Sequence, residues 1–271
     1  MLVDFHYHFA DTPGALEELL KDMDASGVEW TLLMGGPTAA WWEYKKCGFA
    51  PNEAVAKAVK AHSDRLIGNV YCDPQEKDAL GTLKKYFDSG FRAVKMFPPA
   101  GFFPDEDRCM PLYEEIEKQG VPLLVHTGQT NIQIRSADPN KRLATDSRFA
   151  HPFHLDKVSR LFPGIPFVMA HSGYPHYVEA WSVAHANQNV YLDISGSGPW
   201  TDGIPLVYNA IGGQNFIPID FARVVWGSDN CMPQAEHIAQ MSAAVRQMGA
   251  KKKERALVFG DNAKRLLKIG G

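Results

Sequence analysis

Val3-Asp4-Phe5-His6-Tyr7-His8 stands at the start of the chain, and its reading decides how the rest is organised. Leu2, Val3, Phe5 and Tyr7 are apolar or β-prone, so the stretch reads as a strand that ends before the break at Asp11-Thr12-Pro13. Side chains alternate faces along a strand. His6 and His8 therefore share a face about 6 to 7 Å apart, a span over which two imidazoles can pinch one ion. Two histidines at a strand end need not be ligands, and only the remainder of the chain separates the two readings.

Downstream, short apolar runs alternate with helical segments. Thr12 is expected to cap a helix with Pro13 at its first position, Leu16, Leu19, Leu20 and Met23 as its buried stripe, and Gly27 as its end. Val28 to Gly35 reads as a second strand, followed by an aromatic loop with Trp41, Trp42, Tyr44 and Phe49 and a helix from about 52 to 62. The third strand is Leu66 to Cys72, after which Asp73-Pro74-Gln75-Glu76 reads as a capping box opening a helix that Gly90 stops. Further strands are Phe91 to Phe97, Val121 to His126, Ile165 to His171, Val190 to Ser195 and Arg223 to Asp229, with a long loop up to about His151 after the fifth. Eight strand-then-helix units, with no Gly-x-Gly-x-x-Gly after any strand, predict a single-domain (β/α)₈ TIM barrel over residues 1–271 rather than a doubly wound sheet. Helices at about 233–248 and 252–269 would close the ring.

Composition narrows the function. The 271 residues are 45% hydrophobic, enough for a large core, and 28 basic against 31 acidic residues give a net charge of −3 without long blocks. That balance argues against a nucleic-acid or membrane surface and for a small-molecule partner. The four cysteines are widely spaced and form no Cys-x-x-Cys, so neither a disulfide framework nor a thiolate zinc site is expected. A reducing compartment fits, no signal peptide precedes the first strand, and no apolar run approaches 18 residues, so the expectation is a cytoplasmic protein.

The other candidate ligands fall at corresponding places. His126 ends the fifth strand, His171 the sixth and Asp229 the eighth, while Lys95 lies near the end of the fourth. In a parallel barrel the C-terminal strand ends converge on one face, where barrel enzymes carry their chemistry. Imidazoles and a carboxylate without thiolate suit Zn²⁺, and Mn²⁺ or Fe²⁺ less well.

The opening strand, Pro122-Leu123-Leu124-Val125-His126-Thr127-Gly128, Val168-Met169-Ala170-His171-Ser172-Gly173-Tyr174, Val190-Tyr191-Leu192-Asp193-Ile194-Ser195-Gly196, Trp226-Gly227-Ser228-Asp229 and Phe259-Gly260-Asp261-Asn262-Ala263 together resemble the amidohydrolase superfamily. Within it the chain is similar to the amidohydrolase-2 branch, related to aminocarboxymuconate-semialdehyde decarboxylase. The resemblance implies that His6, His8 and His126 bind the metal, with Asp229 as a further ligand or as the base that takes a proton from water. His171 would be a second-site ligand in a binuclear enzyme or a free imidazole in a mononuclear one. Ala93-Val94-Lys95-Met96-Phe97-Pro98 resembles the segment that supplies a carboxylated, metal-bridging lysine in relatives such as dihydroorotase. The alternative is an ammonium paired with a carboxylate at the mouth.

Specificity is expected from loops on the same face. Arg135, Arg142 and Arg148 could hold a substrate carboxylate, or be solvated. Trp41, Trp42, Phe102, Phe103 and Trp200 could line an aromatic pocket, anchor loops or form contacts in a homo-oligomer. Of His151, His154 and His176, at helix starts, only His176 is close enough in sequence to His171 to suggest the site. Asp193 could orient a ligand histidine, and Cys231 is expected to pack. The reading is a metal-dependent hydrolase of a small amide, lactone or ester, with a nonoxidative decarboxylase as the rival. A TatD-type deoxyribonuclease would want a glutamate where Lys95 stands, and a barrel kept only as a binding module would be expected to lack a ligand.

Overall fold

The computed structural model describes residues 1–43, 45–134, 145–209 and 220–270, the side chains of 199–201 and 207 excepted. The chain runs β1 (Leu2–His8), α1 (Ala15–Ser26), β2 (Val28–Met34), β3 (Ala40–Trp42), β4 (Cys47–Gly48), α2 (Asn52–Ala61), β5 (Leu66–Tyr71), α3 (Ala79–Asp88) and β6 (Ala93–Met96). It continues through α4 (Met110–Gln119), β7 (Leu123–Val125), β8 (Ile132–Ile134), α5 (His154–Leu161), β9 (Phe167–Met169), α6 (Tyr177–Ala186), β10 (Val190–Asp193), α7 (Pro199–Val207) and β11 (Val224–Val225). Three helices, α8 (Gln234–Gln247), α9 (Lys252–Ala256) and α10 (Asn262–Leu267), end it.

Eight strands form one parallel sheet in the order β1-β2-β5-β6-β7-β9-β10-β11, the (β/α)₈ barrel that the sequence predicts. The barrel nearly closes. The Phe5 N–H donates to the Trp226 carbonyl at 3.0 Å and the Asp229 N–H to the His6 carbonyl at 2.7 Å, joining last strand to first. Asp4, fully buried, reinforces this seam by accepting from the Ser228 hydroxyl at 2.6 Å, the Ser228 N–H at 3.0 Å and the Gln234 side chain at 2.8 Å. Gly227 is required there, because a Cβ at that position would lie 2.3 Å from the Cβ of His6.

Val3, Phe5, Leu32, Ile67, Ala93, Leu124, Val168 and Val225 form one buried cluster drawn from strands all round the barrel, which places it in the lumen, together with Leu266 and Leu267 of α10. Further along, several of these strands turn polar: Asn69 follows Ile67 and Lys95 follows Ala93 by two residues, His126 follows Leu124 by two, and Asp229 lies four past Val225. The period of two thus builds an apolar floor under a polar mouth. β1 departs from simple alternation. Asp4 pairs with Thr31 but Tyr7 with Leu33, so three residues of β1 span two of β2. This bulge lets Phe5 fill the lumen while His6 and His8 also face inward, a re-aiming of side chains that bulges commonly perform.

Three expectations need correction. The aromatic loop and the start of the long loop contain strands, since β4, β3 and β8 form an antiparallel sheet of their own beside the barrel. α1 begins at Ala15 behind Gly14, whose φ is +83°, and Thr12 does not cap it. α3 begins at Ala79 with Asp78 accepting from the Gly81 N–H, while Asp73 closes a separate turn by accepting from the Gln75 N–H at 2.9 Å. Among the described residues no helix is long and apolar enough to cross a membrane.

Candidate active site

The mouth brings together His6 and His8 from β1, Lys95 from β6, His126 just past β7, His171 from the turn after β9, Asp193 from β10 and Asp229 beyond β11, all buried but Asp229, which is half-buried. The ligating atoms of His6, His171 and Asp229 lie within 4.8 Å of one another. Asp229 Oδ1 is 3.3 Å from His6 Nε2 and 3.7 Å from His8 Nε2. The rings of His6 and His8 are 5.1 Å apart, those of His6 and His171 5.3 Å, and those of His126 and His171 4.9 Å.

The outer nitrogen of each key ring is already engaged. His6 Nδ1 donates to Asp193 Oδ2 at 2.6 Å, as the expectation that Asp193 orients a ligand histidine requires. His8 Nδ1 donates to the Gly35 carbonyl at 2.8 Å, and His171 Nδ1 donates to Ser195 Oγ at 3.0 Å. Ser195 passes its own proton to Asp193 Oδ2 at 2.8 Å, so one hydroxyl couples two imidazoles to one carboxylate. This network assigns the Nδ1–H tautomer to His6, His8 and His171 and leaves their Nε2 lone pairs for the mouth, as outer hydrogen bonds do for metal-binding histidines. His126 differs, with Nε2 3.2 Å from the Gln129 carbonyl of its own loop.

Burial sets the charges. It drives His6, His8 and His126 well below the ordinary histidine range and His171 to about 3, with Lys95 adding to the effect on each. The rings are neutral, the form that binds a cation. Lys95 Nζ lies 3.3 Å from His6 Nε2, and burial brings its pKa down to about 8 against the pull of Asp229 and Asp193. Asp229 is raised by burial to about 7, opposed by Lys95 and by a hydrogen bond from Cys231, and Asp193 is pushed well up by burial. His171 and Asp229 also have left-handed backbone, with φ of +57° at both, uncommon for such residues and frequent at functional sites.

The cavity above these groups has a volume of about 150 Å³. Trp42, Phe49 and Ile132 give it an apolar wall, with the Trp42 and Phe49 rings stacked at 5.4 Å and 16°, while Gln129, Asn131, Ser197 and Cys231 face it as polar groups. Trp42 rather than Trp41 takes this position because neighbouring strand residues point to opposite faces. Phe102 does not line it: it is fully buried in the core cluster that also holds Cys109, Leu112 and Tyr113, on the helix side of the strands. Arg148 lies outside as well, 87% exposed and held by Asp146 at 2.6 Å. Arg135 and Arg142, and the side chain of Trp200, lie outside the described residues. His176 turns to His151 instead of the mouth. Ser195 and Cys231 take parts in the site that their sequence context does not announce. Ser195 stands two past Asp193 on the inward face, and Cys231, expected to pack, donates to Asp229 Oδ2 at 3.3 Å.

A (β/α)₈ barrel with neutral imidazoles and carboxylates gathered at its C-terminal rim defines a class of barrel with the donor set of a divalent-ion site. The family model described as Amidohydrolase, of the amidohydrolase-2 type, matches residues 3–269, and the chain belongs to that family. Solved structures share the fold at low identity. An uncharacterized TIM-barrel protein of Bordetella bronchiseptica is 22% identical over 98% of both chains, with a TM-score of 0.73. A 5-carboxyvanillate decarboxylase of Novosphingobium aromaticivorans, with bound manganese, is 15% identical over 99% of this chain and 97% of its own, at 0.66. A probable 2-pyrone-4,6-dicarboxylic acid hydrolase of Acinetobacter baumannii is 16% identical over 99% of each, at 0.64. Among curated protein sequences none matches.

Proposed function

We propose that the mouth is the active site of a metal-dependent hydrolase that activates water to cleave an amide, lactone or ester bond of a small molecule in the cytoplasm. The observation that carries the reading is Asp229, a carboxylate 3.3 Å from His6 and 3.7 Å from His8 that opens onto the cavity. The donor set fits a divalent ion because His6, His8 and His171 present Nε2 from rings whose Nδ1 is pinned. His6, His171 and Asp229 would form the nucleus of the site, with His8, His126 and Lys95 beside it, Lys95 as an amine or, once carboxylated, as an oxygen donor. Zn²⁺ suits these groups best, with Mn²⁺ or Fe²⁺ as alternatives. An ion held there would polarise the scissile carbonyl and bring the pKa of water from 15.7 toward about 7.

The chain's own residues supply the rest. Asp229 accepts the proton of the attacking water and returns it to the leaving group, from a carboxylate that stands 3.3 Å from His6 Nε2 and opens onto the cavity. Asp193 and Ser195 hold His6 and His171 in the tautomer that faces the substrate. Trp42, Phe49 and Ile132 exclude bulk water and orient a flat substrate, and a cavity near 150 Å³ is about the size that holds one benzene ring. The four unpaired cysteines support a reducing compartment.

The same stacked wall favours the second reading, nonoxidative decarboxylation of a small ring acid, which the decarboxylase of the Novosphingobium barrel also supports. Turnover of a panel of lactones, esters, amides and aromatic acids in ¹⁸O-labelled water separates the two. Hydrolysis places solvent oxygen in the product acid. Release of CO₂ without label in the organic product, with a solvent proton at the former carboxyl carbon, would overturn the hydrolase reading in favour of the second.

A further inference from the structure

We propose that His151, His176 and Glu179 form a second divalent-cation site, outside the mouth. His151 follows the short 3-10 turn Ser147–Ala150 before α5, whereas His176 and Glu179 stand at the start of α6, three residues apart and on one helix face. Their ligating atoms lie within 4.8 Å of one another, as those of His6, His171 and Asp229 do at the mouth. The two imidazole rings are 4.5 Å apart and His176 Nδ1 is 3.7 Å from Glu179 Oε1. None of the three lines the mouth cavity.

Two imidazoles and one carboxylate form a zinc-type donor set whose fourth position is left to water. Bonds of about 2.0–2.1 Å to a tetrahedral ion put ligand atoms about 3.3 Å apart, so the side chains need to close by at most about 1.5 Å. They are half-buried, and the bond that competes at His151 is weak: among the described residues its Nδ1 accepts a long hydrogen bond, 3.3 Å from the Phe153 N–H. The position gives the site a consequence. The Gly128 N–H donates to the Ala150 carbonyl and the Gln129 N–H to the Tyr174 carbonyl, both at 2.7 Å, so the segments bearing these ligands pack on the loops that carry His126 and His171. A cation at His151, His176 and Glu179 ties those loops together from outside.

Equilibrium dialysis of the full chain against zinc, read by mass spectrometry of the metal, tests this. The His151→Ala/His176→Ala double variant is expected to hold one zinc fewer per chain than the wild type, whatever number the mouth takes. Glu179→Gln, which keeps the size of the side chain, is expected to weaken that one site about tenfold or more. Equal zinc in the wild type and a double variant that circular dichroism shows to be folded overturns the proposal. Should the double variant not fold, Glu179→Gln decides alone, and unchanged zinc content and affinity overturn it.

Discussion

At the residue scale, the mouth depends on groups that touch no substrate. Asp193 accepts from His6 and Ser195, and Ser195 in turn accepts from His171. Removing an outer partner of a metal-binding histidine typically costs 10–100-fold in metal affinity. Asp193→Asn is therefore expected to weaken metal binding by about that range while the chain stays folded, as competition with a fluorescent chelator measures. Affinity equal to the wild type would sink the assigned network. A second histidine shows the cost of keeping an imidazole neutral. His237 Nδ1 accepts from the Trp226 indole at 2.8 Å while Nε2–H donates to the Gly196 carbonyl at 2.6 Å, so no lone pair is left for a proton. Burial lowers its pKa from 6.5 to about 4. Between those values the unfolded chain binds a proton that the folded chain refuses, so stability present above pH 6.5 is lost as the pH falls toward 4, by up to about 3 kcal/mol. Urea unfolding at several pH values is expected to show a shallower acid loss for His237→Gln than for the wild type.

At the element scale, the seam between β1 and β11 relies on Asp4, because few backbone hydrogen bonds cross it and the Asp4 carboxylate supplies the rest. Asp4→Ala leaves buried donors on Ser228 and Gln234 and is expected to cost about 3 kcal/mol or more. The fall in denaturation midpoint measures it. Gly227→Val adds atoms where even a Cβ meets His6 and is expected to reduce metal affinity along with stability. The eight barrel strands were legible in sequence because each carries a hydrophobic run, and several add a polar residue in step at the end: Ala93 then Lys95, Leu124 then His126. The bulge in β1 was not, since it depends on how β1 and β2 pair and alternation alone cannot report it. β3 and β8 were missed for a related reason. Three-residue strands far apart in the chain give no period of their own, and only their pairing makes Trp42 a wall of the cavity. Phe102 was misassigned because an aromatic residue after a strand packs equally well under the helices as in the mouth.

At the scale of the whole molecule, an ion that binds only the folded chain stabilises it by mass action. At a hundredfold excess over the dissociation constant the gain is about 2.7 kcal/mol, which for a chain of this size raises the melting midpoint by roughly 5 to 10 °C. Zinc is expected to produce such a shift in the chelator-treated protein, and the larger part of it is expected to vanish in Asp229→Asn. The fold makes this coupling strong, because the donors come from β1, the turn after β9 and the loop beyond β11, so one ion would bind distant parts of the ring together. Anomalous diffraction at the zinc edge, from crystals of the full chain grown with zinc, tests the central claim most directly. A peak is expected at about 2.0–2.2 Å from His6 Nε2, His171 Nε2 and Asp229. An ordered mouth with no peak among these three residues, in a protein that retains full turnover, would contradict it.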